Sequence, residues 1–438
     1  MPLLYSHLST SFVTVSCRSS SSSLLSNRPS RYAVLGAGFA GLSVAWHLLH
    51  SSKELDVCVD IYDEVGIGGG ASGVAGGLLH PYSPKVKLLW RGAECWKESL
   101  NLLNVAEGAL FKLVNRGKQD SLPNGESSIV KRRGILRPAV SLKNMDLMIG
   151  NAENCLTTCR IESIHKDAAQ SLVPDISVPL NLAFYMPEAL NINSQLYLEA
   201  LYLACENLAE EMSKLGIARK ELCLHKKSVE SLLELAGEYN AVIICLGARA
   251  AFLPELSGRL PFADMQRKDY PKHSPSILSD TWLSVKGARN IHIGSTWEWK
   301  STNYSRDVSM EEASKAMEVL LPKASAVYPP IKDWTITGAM AGLRAMPPLT
   351  ADGSLPILGC IDNLIGGGNN GRGKYWLFTG LGARGLLFHG WLGKLMAQAV
   401  LSCDEGLIPS ELTSWKYKMQ QQEAKYPMPV LRSFLNVD

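Results

Sequence analysis

The chain has little net charge. Its 44 Lys and Arg stand against 41 Asp and Glu, a formal +3 over 438 residues. Tight nucleic-acid binding draws largely on phosphate neutralisation, and this balance gives no footprint for it. No Cys-x-x-Cys pair occurs among the ten cysteines. The closest two, Cys155 and Cys159, have no histidine cluster beside them, so the thiols read as reduced and neither a zinc site nor a disulfide framework is expected. No uninterrupted apolar run reaches the roughly eighteen residues of a membrane helix. The longest candidate, Leu386 to Leu401, is broken by His389 and Lys394, and no membrane partner is expected.

Acidic residues are absent before Glu54. The first thirty residues instead hold eleven serines, including the run Ser19 to Ser23, with Arg18 and Arg28. A serine-rich, arginine-bearing, acid-free start without the apolar core of a signal peptide reads as an organelle transit peptide. The expected address is the chloroplast, with the mitochondrion second. The remaining chain, 46% apolar and 19% charged overall, is globular in composition and long enough for one large or two interlocked domains.

Arg31 to Leu35 (RYAVL) reads as a short buried strand. Gly36-Ala37-Gly38-Phe39-Ala40-Gly41 follows, a full G-x-G-x-x-G, and Leu42 to His50 carries helical apolar spacing. Val57 to Tyr62 reads as a second strand ending in Asp63-Glu64. Strand, glycine turn, helix, strand and acid in this order form a dinucleotide-binding unit. Gly36 permits the turn, Gly38 lets backbone approach a pyrophosphate, and Gly41 lets the helix lie close to the strand. The free N–H groups of the helix start face phosphate charge. Asp63, 22 residues after Gly41, stands where the ribose acid belongs, with Glu64 the adjacent alternative. This unit does not separate NAD from FAD.

The next stretch, "GIGGGASGVAGGLLHP" from Gly66 to Pro81, is where an NAD enzyme would start a crossover helix. Backbone without side chains can press against a flat flavin ring. Here the sequence resembles the D-amino-acid oxidase / glycine oxidase superfamily of FAD-dependent oxidoreductases. The nearest likeness is to the oxidase domain of bacterial bifunctional enzymes that modify the tRNA wobble uridine. It is carried by Gly70-Ala71-Ser72-Gly73 and Gly77-Leu78-Leu79-His80-Pro81.

Three later segments extend the resemblance. "AVIICLGARA", from Ala241, is a strand ending at Gly247 like the family's strand beside the adenine half of FAD. "GAMAGLRAMPPLTADGSLPILG", from Gly338, is similar to the segment whose arginine holds the substrate carboxylate, here Arg344, with Ala345 where proline is usual. "YWLFTGLGARGLLFHGWLGKLMAQAV", from Tyr375, is similar to the strand, turn and helix that face the flavin's pyrimidine edge through Gly382, Ala383 and Gly385. Arg384 there is a candidate for the flavin or the substrate. His80 is a candidate for contact with the flavin, even for a covalent bond to it, or a polar strand end; non-covalent FAD is the default expectation.

The resemblance implies a Rossmann-like α/β FAD-binding domain with an inserted α+β substrate domain built on a mostly antiparallel sheet. The expected FAD-domain segments are 31–115, 188–259 and 336–410; the substrate-domain segments are 116–187 and 260–335. A helix and tail occupy 411–438. Trp297 and Trp299 are candidate cavity walls or plain core. The implied activity is oxidation of the C–N bond of a carboxylate-bearing amine, with oxygen or another acceptor taking the electrons. The alternatives are oxidation of a carboxymethylaminomethyl uridine in tRNA, and an assembly protein that keeps FAD without turnover.

Overall fold

The computed structural model describes residues 29–52, 54–115, 128–254, 274–287, 290–296, 308–334, 338–347, 349–350, 353–365 and 374–416. Two six-stranded sheets carry the architecture. The first runs edge to edge as Ile357–Cys360, Lys374–Thr379, Ala241–Ile244, Ser30–Leu35, Val57–Tyr62 and Lys220–His225. All its pairings are parallel except that of Ile357–Cys360. Its strands come from three separate stretches of the chain.

Parallel strands bury both faces, and alternate side chains go to opposite cores. Val34 and Ile243 join one cluster, whereas Leu35 and Ile244 join another. The first cluster is capped by the helices Phe39–Ser51, Gly92–Asn115, Ser194–Lys214 and Gly385–Ser402. Small residues bring the first and last of these close. A Cβ on Gly393 would stand 2.1 Å from Ser43 Oγ, and that hydroxyl donates to His389 O at 2.9 Å.

His389 is buried in this helix layer, with Nε2 2.8 Å from the Tyr197 hydroxyl. Its Nδ1, 3.0 Å from Leu386 O, is the donor, so Nε2 accepts from Tyr197. Burial pushes its pKa from 6.5 down to about 4. The unfolded chain therefore binds this proton at higher pH than the folded one. The stabilisation is complete above about 6.5 and is lost as pH falls towards about 4, at about 1.4 kcal/mol per pH unit. Unfolding free energies in urea are expected to drop across that window, and His389→Gln to remove about one proton from the slope.

The second sheet runs Asn290–Gly294, Trp282–Gly287, Ser276–Leu278, Ile135–Pro138, Leu182–Met186 and Glu162–His165. Its pairings are antiparallel apart from the parallel contact of Ser276–Leu278 with Ile135–Pro138. Leu136, Ile277, Leu283, Val285 and Ile293 pack with the helix Met310–Val327. Ile135, Phe184 and Met186 join the core of the first sheet. A three-stranded ribbon, Leu78–Leu79, Leu190–Ile192 and Val130–Lys131, ties the glycine stretch to this second unit.

The helix Ser194–Lys214 follows the Leu190–Ile192 strand, and Asn193 Oδ1 accepts the Leu196 N–H at 3.2 Å as its cap. Beyond Ser410 the described helix is the short Ser410–Thr413, and residues 417–438 lie outside the described residues. No described helix is long and apolar enough to cross a membrane.

Candidate active site

A cavity of about 720 Å³ opens at the carboxyl ends of the first sheet's parallel strands and reaches the second sheet. That size lies within the roughly 300–1,000 Å³ of ligand clefts. Open α/β sheets bind their ligands at this end. Gly36, Gly38, Phe39, Ala40, Asp63, Glu64, Gly70, Ala71, Ser72, Gly77, Leu78, His80, Gly247, Arg344, Gly382, Ala383, Arg384 and Gly385 all line it. Gly41 lies beneath the turn: a Cβ there would fall 1.8 Å from Gly36 O. Trp297 and Trp299 lie outside the described residues.

The two glycine segments are one structure. Gly68 N donates to Ala37 O at 3.0 Å, and Ser72 Oγ accepts the Phe39 N–H at 3.1 Å. Gly38 itself offers no side-chain cap to the helix Phe39–Ser51, so Ser72 supplies one from 33 residues away. Such caps contribute about 1 kcal/mol. Ser72→Ala is expected to lower stability by about that amount, read as a shifted urea midpoint with unchanged slope.

Asp63 does more than the sequence reading gave it. Oδ2 accepts Ala37 N–H at 2.9 Å, and Oδ1 accepts Val65 N–H at 3.0 Å and Gly66 N–H at 2.8 Å. One carboxylate thus fixes the glycine turn and the start of the glycine stretch together. Glu64, the alternative acid, pairs with Arg249 at the cavity wall.

Arg344 reaches the cavity from a segment laid across the glycine stretch. The fit there is close: a Cβ on Gly342 would stand 2.7 Å from Ala71 Cα. Arg344 Nη2 donates to Ser295 Oγ at 2.9 Å, which ties it to the end of a second-sheet strand. Gly382 N donates to Ala345 O at 2.9 Å, so this segment also holds the turn that carries Arg384. Arg384 sits at the N-cap of the helix Gly385–Ser402. Burial, then the charge of Arg137, pushes it down to about 10, so it remains a cation at neutral pH.

His80 is buried, with 3% of its surface exposed. Its Nδ1 lies 3.3 Å from Tyr82 N and its Nε2 3.5 Å from Arg384 Nη1, and a neutral ring accepts from one of the two and carries its proton on the other nitrogen. Burial first, and then the charges of Arg384 and Arg137, hold its pKa well below the ordinary value. The ring is neutral and a poor base.

The second sheet supplies residues that the motif reading did not find. Ser284 Oγ donates to Gly76 O, and Lys286 Nζ donates to Gly76 O at 3.0 Å and to Ile192 O at 2.9 Å. They hold the glycine stretch at Gly77, where a Cβ would strike Ile192 O at 1.9 Å. Trp282 and Asp280 complete the wall. The local signal was the alternation in "WLSVKG": Leu283 and Val285 go to the core, so Trp282, Ser284 and Lys286 take the other face.

Gly36, Gly38, Gly41 and Gly77, which a side chain would overfill, a helix start at the cavity wall and the cavity beyond them form a cradle for an elongated phosphate-bearing ligand. A family model of DAO, FAD dependent oxidoreductase, matches residues 31–399. The chain belongs to this family. It is an FAD-dependent oxidoreductase, and the cradle fits that cofactor. Glycine oxidase from Geobacillus kaustophilus superposes with a TM-score of 0.60 at 19% identity, over 86% of this chain and 96% of the other. Iminodiacetate oxidase from Chelativorans sp. BNC1 gives 0.61 at 19%, over 85% and 96%. L-proline dehydrogenase from P. horikoshii gives 0.62 at 14%, over 90% and 98%. These likenesses show the shared fold. The comparison with curated proteins finds no match.

Proposed function

We propose that the protein oxidises the C–N bond of a small amine that carries a carboxylate. The observation that carries this reading is the placement of Arg344: a guanidinium on the cavity wall, above the glycine stretch and steadied by Ser295. Glycine, iminodiacetate and L-proline, named for the three neighbours, each combine an amine with a carboxylate.

FAD, when bound, supplies the hydride acceptor for forming an imine, which water then hydrolyses. The Gly36–Gly41 turn and the start of Phe39–Ser51 would hold its pyrophosphate; the 70–78 backbone and the start of Gly385–Ser402 would hold the flavin. Arg344 orients the substrate through a two-pronged carboxylate contact, which fixes the reacting carbon before any chemistry. His80 is too weak a base to take the ammonium proton. The arginines do that work indirectly, because nearby positive charge disfavours a protonated amine. The rate constant for flavin reduction divided by Kd is therefore expected to rise along an acidic limb whose midpoint lies below the free amine's pKa. A pH profile measured by stopped flow checks it.

A carboxymethylaminomethyl uridine carries the same N-carboxymethyl amine, so tRNA is the second substrate class to try. The near-neutral chain charge favours the small molecule. Anaerobic mixing with sarcosine, glycine and other N-substituted glycines is expected to bleach the flavin. No bleaching by any of them, from a protein that keeps its FAD, would leave the assembly-protein reading standing. A plastid address for residues 1–30 is part of the proposal; import into isolated chloroplasts with loss of the segment tests it.

A further inference from the structure

Where the two sheets meet, guanidiniums gather: Arg344 and Arg384 line the cavity. Arg137 stands beside it: Ile277 pairs with Leu136, so the next residue along, the cavity-lining Leu278, lies next to Arg137. Alternation puts Arg137 on the face of Ile135, which packs towards the first sheet, and not on that of Leu136, which packs away from it. The charge of Arg137 acts on both Arg384 and His80. The carboxylate whose field reaches Arg137 is Asp280. Among the described residues neither Arg137 nor Arg384 has an ion pair within 4.0 Å.

The hydrogen-bond geometry points the same way. Among the described residues the hydrogen-bond partner of Arg384 is the neutral His80 ring, Nη1 to Nε2 at 3.5 Å, and no carboxylate meets its charge. Clustered, desolvated guanidiniums are unfavourable unless an anion meets them.

We propose that the substrate is a doubly anionic amine, with one carboxylate on Arg344 and a second acidic group held between Arg384 and Arg137. This rests on the oxidase reading and narrows its substrate class. Arg137 is a specificity residue in it: it holds a group remote from the carbon that reacts.

The test uses the FAD-loaded protein and two probe pairs. Iminodiacetate and sarcosine share the N-carboxymethyl amine and differ by the second carboxylate. Diglycolate and methoxyacetate are their ether counterparts, which bind without turnover and are followed by the perturbed flavin spectrum. The diacid is expected to win by about 10–100-fold in each pair, the range for a charge-assisted contact. In Arg137→Met this preference is expected to shrink to within about threefold, with FAD content unchanged. Arg137→Lys is expected to keep part of it, since charge remains without the fork. Equal or better use of the monoacids by the wild type overturns the inference, as does an Arg137→Met that weakens both members of a pair alike. If sarcosine bleaches the flavin in either case, the oxidase reading stands without it. If no amine does, both fall. Should Arg137→Met not fold, the wild-type diglycolate to methoxyacetate ratio decides alone.

Discussion

Arg344→Met is expected to keep FAD bound and to lose substrate use by about 10²–10³-fold in the rate of flavin reduction divided by Kd. The magnitude follows from removing one partner of a desolvated charge pair, which costs about 2–5 kcal/mol. Methionine keeps much of the length and loses the fork and the charge. The loss is expected mainly in Kd, with a further loss in rate if the mispositioned carbon no longer meets its acceptor. Arg344 touches the second sheet through Ser295, and Ser295→Ala should therefore reproduce part of the effect by freeing the guanidinium. Rapid-reaction spectra of both variants with sarcosine check the prediction, and their visible absorbance at purification reports FAD content. An Arg344→Met that reduces at the wild-type rate would remove Arg344 from the site.

The largest effect on the cofactor is expected from Gly36→Ala. Gly36 has φ +104°, and a Cβ there would lie 2.5 Å from Cys245 O, a backbone atom that cannot swing aside. The unfavourable φ alone costs about 1–3 kcal/mol, and the overlap adds to it by pushing the turn away from the Ala241–Ile244 strand. FAD per chain is expected to fall at least about tenfold, with a lower unfolding midpoint. Gly70→Ala is the matching fold control, because nothing lies within 4 Å of its Cβ position. Its apo stability is expected to stay within about 0.5 kcal/mol of wild type. A Gly36→Ala protein with full FAD and unchanged stability would show that the turn relaxes freely.

The first unit was legible because its contacts are local. Gly36 to Gly41 and Asp63 follow each other within one strand–helix–strand, and their spacing alone orders them. The glycine stretch was legible as small residues at a bulky ligand. The use of Ser72 as a helix cap was hidden, since it joins positions far apart in the chain. Asp63 was read as a ligand acid, yet its three backbone partners are set by how two loops meet. The substrate end was the least legible. "WLSVKG" displays the period of two that places Lys286 opposite the core residues, whereas "ILRP" has no such alternation to single out Arg137. Nothing in either string says which sheet face turns towards the cofactor cradle. That is decided by the ribbon of Leu78–Leu79, Leu190–Ile192 and Val130–Lys131, whose register no local pattern encodes.

The central claim is that a carboxylate on the amine, read by Arg344, makes a substrate. Anaerobic titration of the FAD-loaded protein with sarcosine and with dimethylamine, the same amine without its carboxylate, tests it most directly. Sarcosine is expected to bleach the flavin and dimethylamine to leave it oxidised at the same concentration. Bleaching by both to the same extent, or by dimethylamine alone, would contradict it.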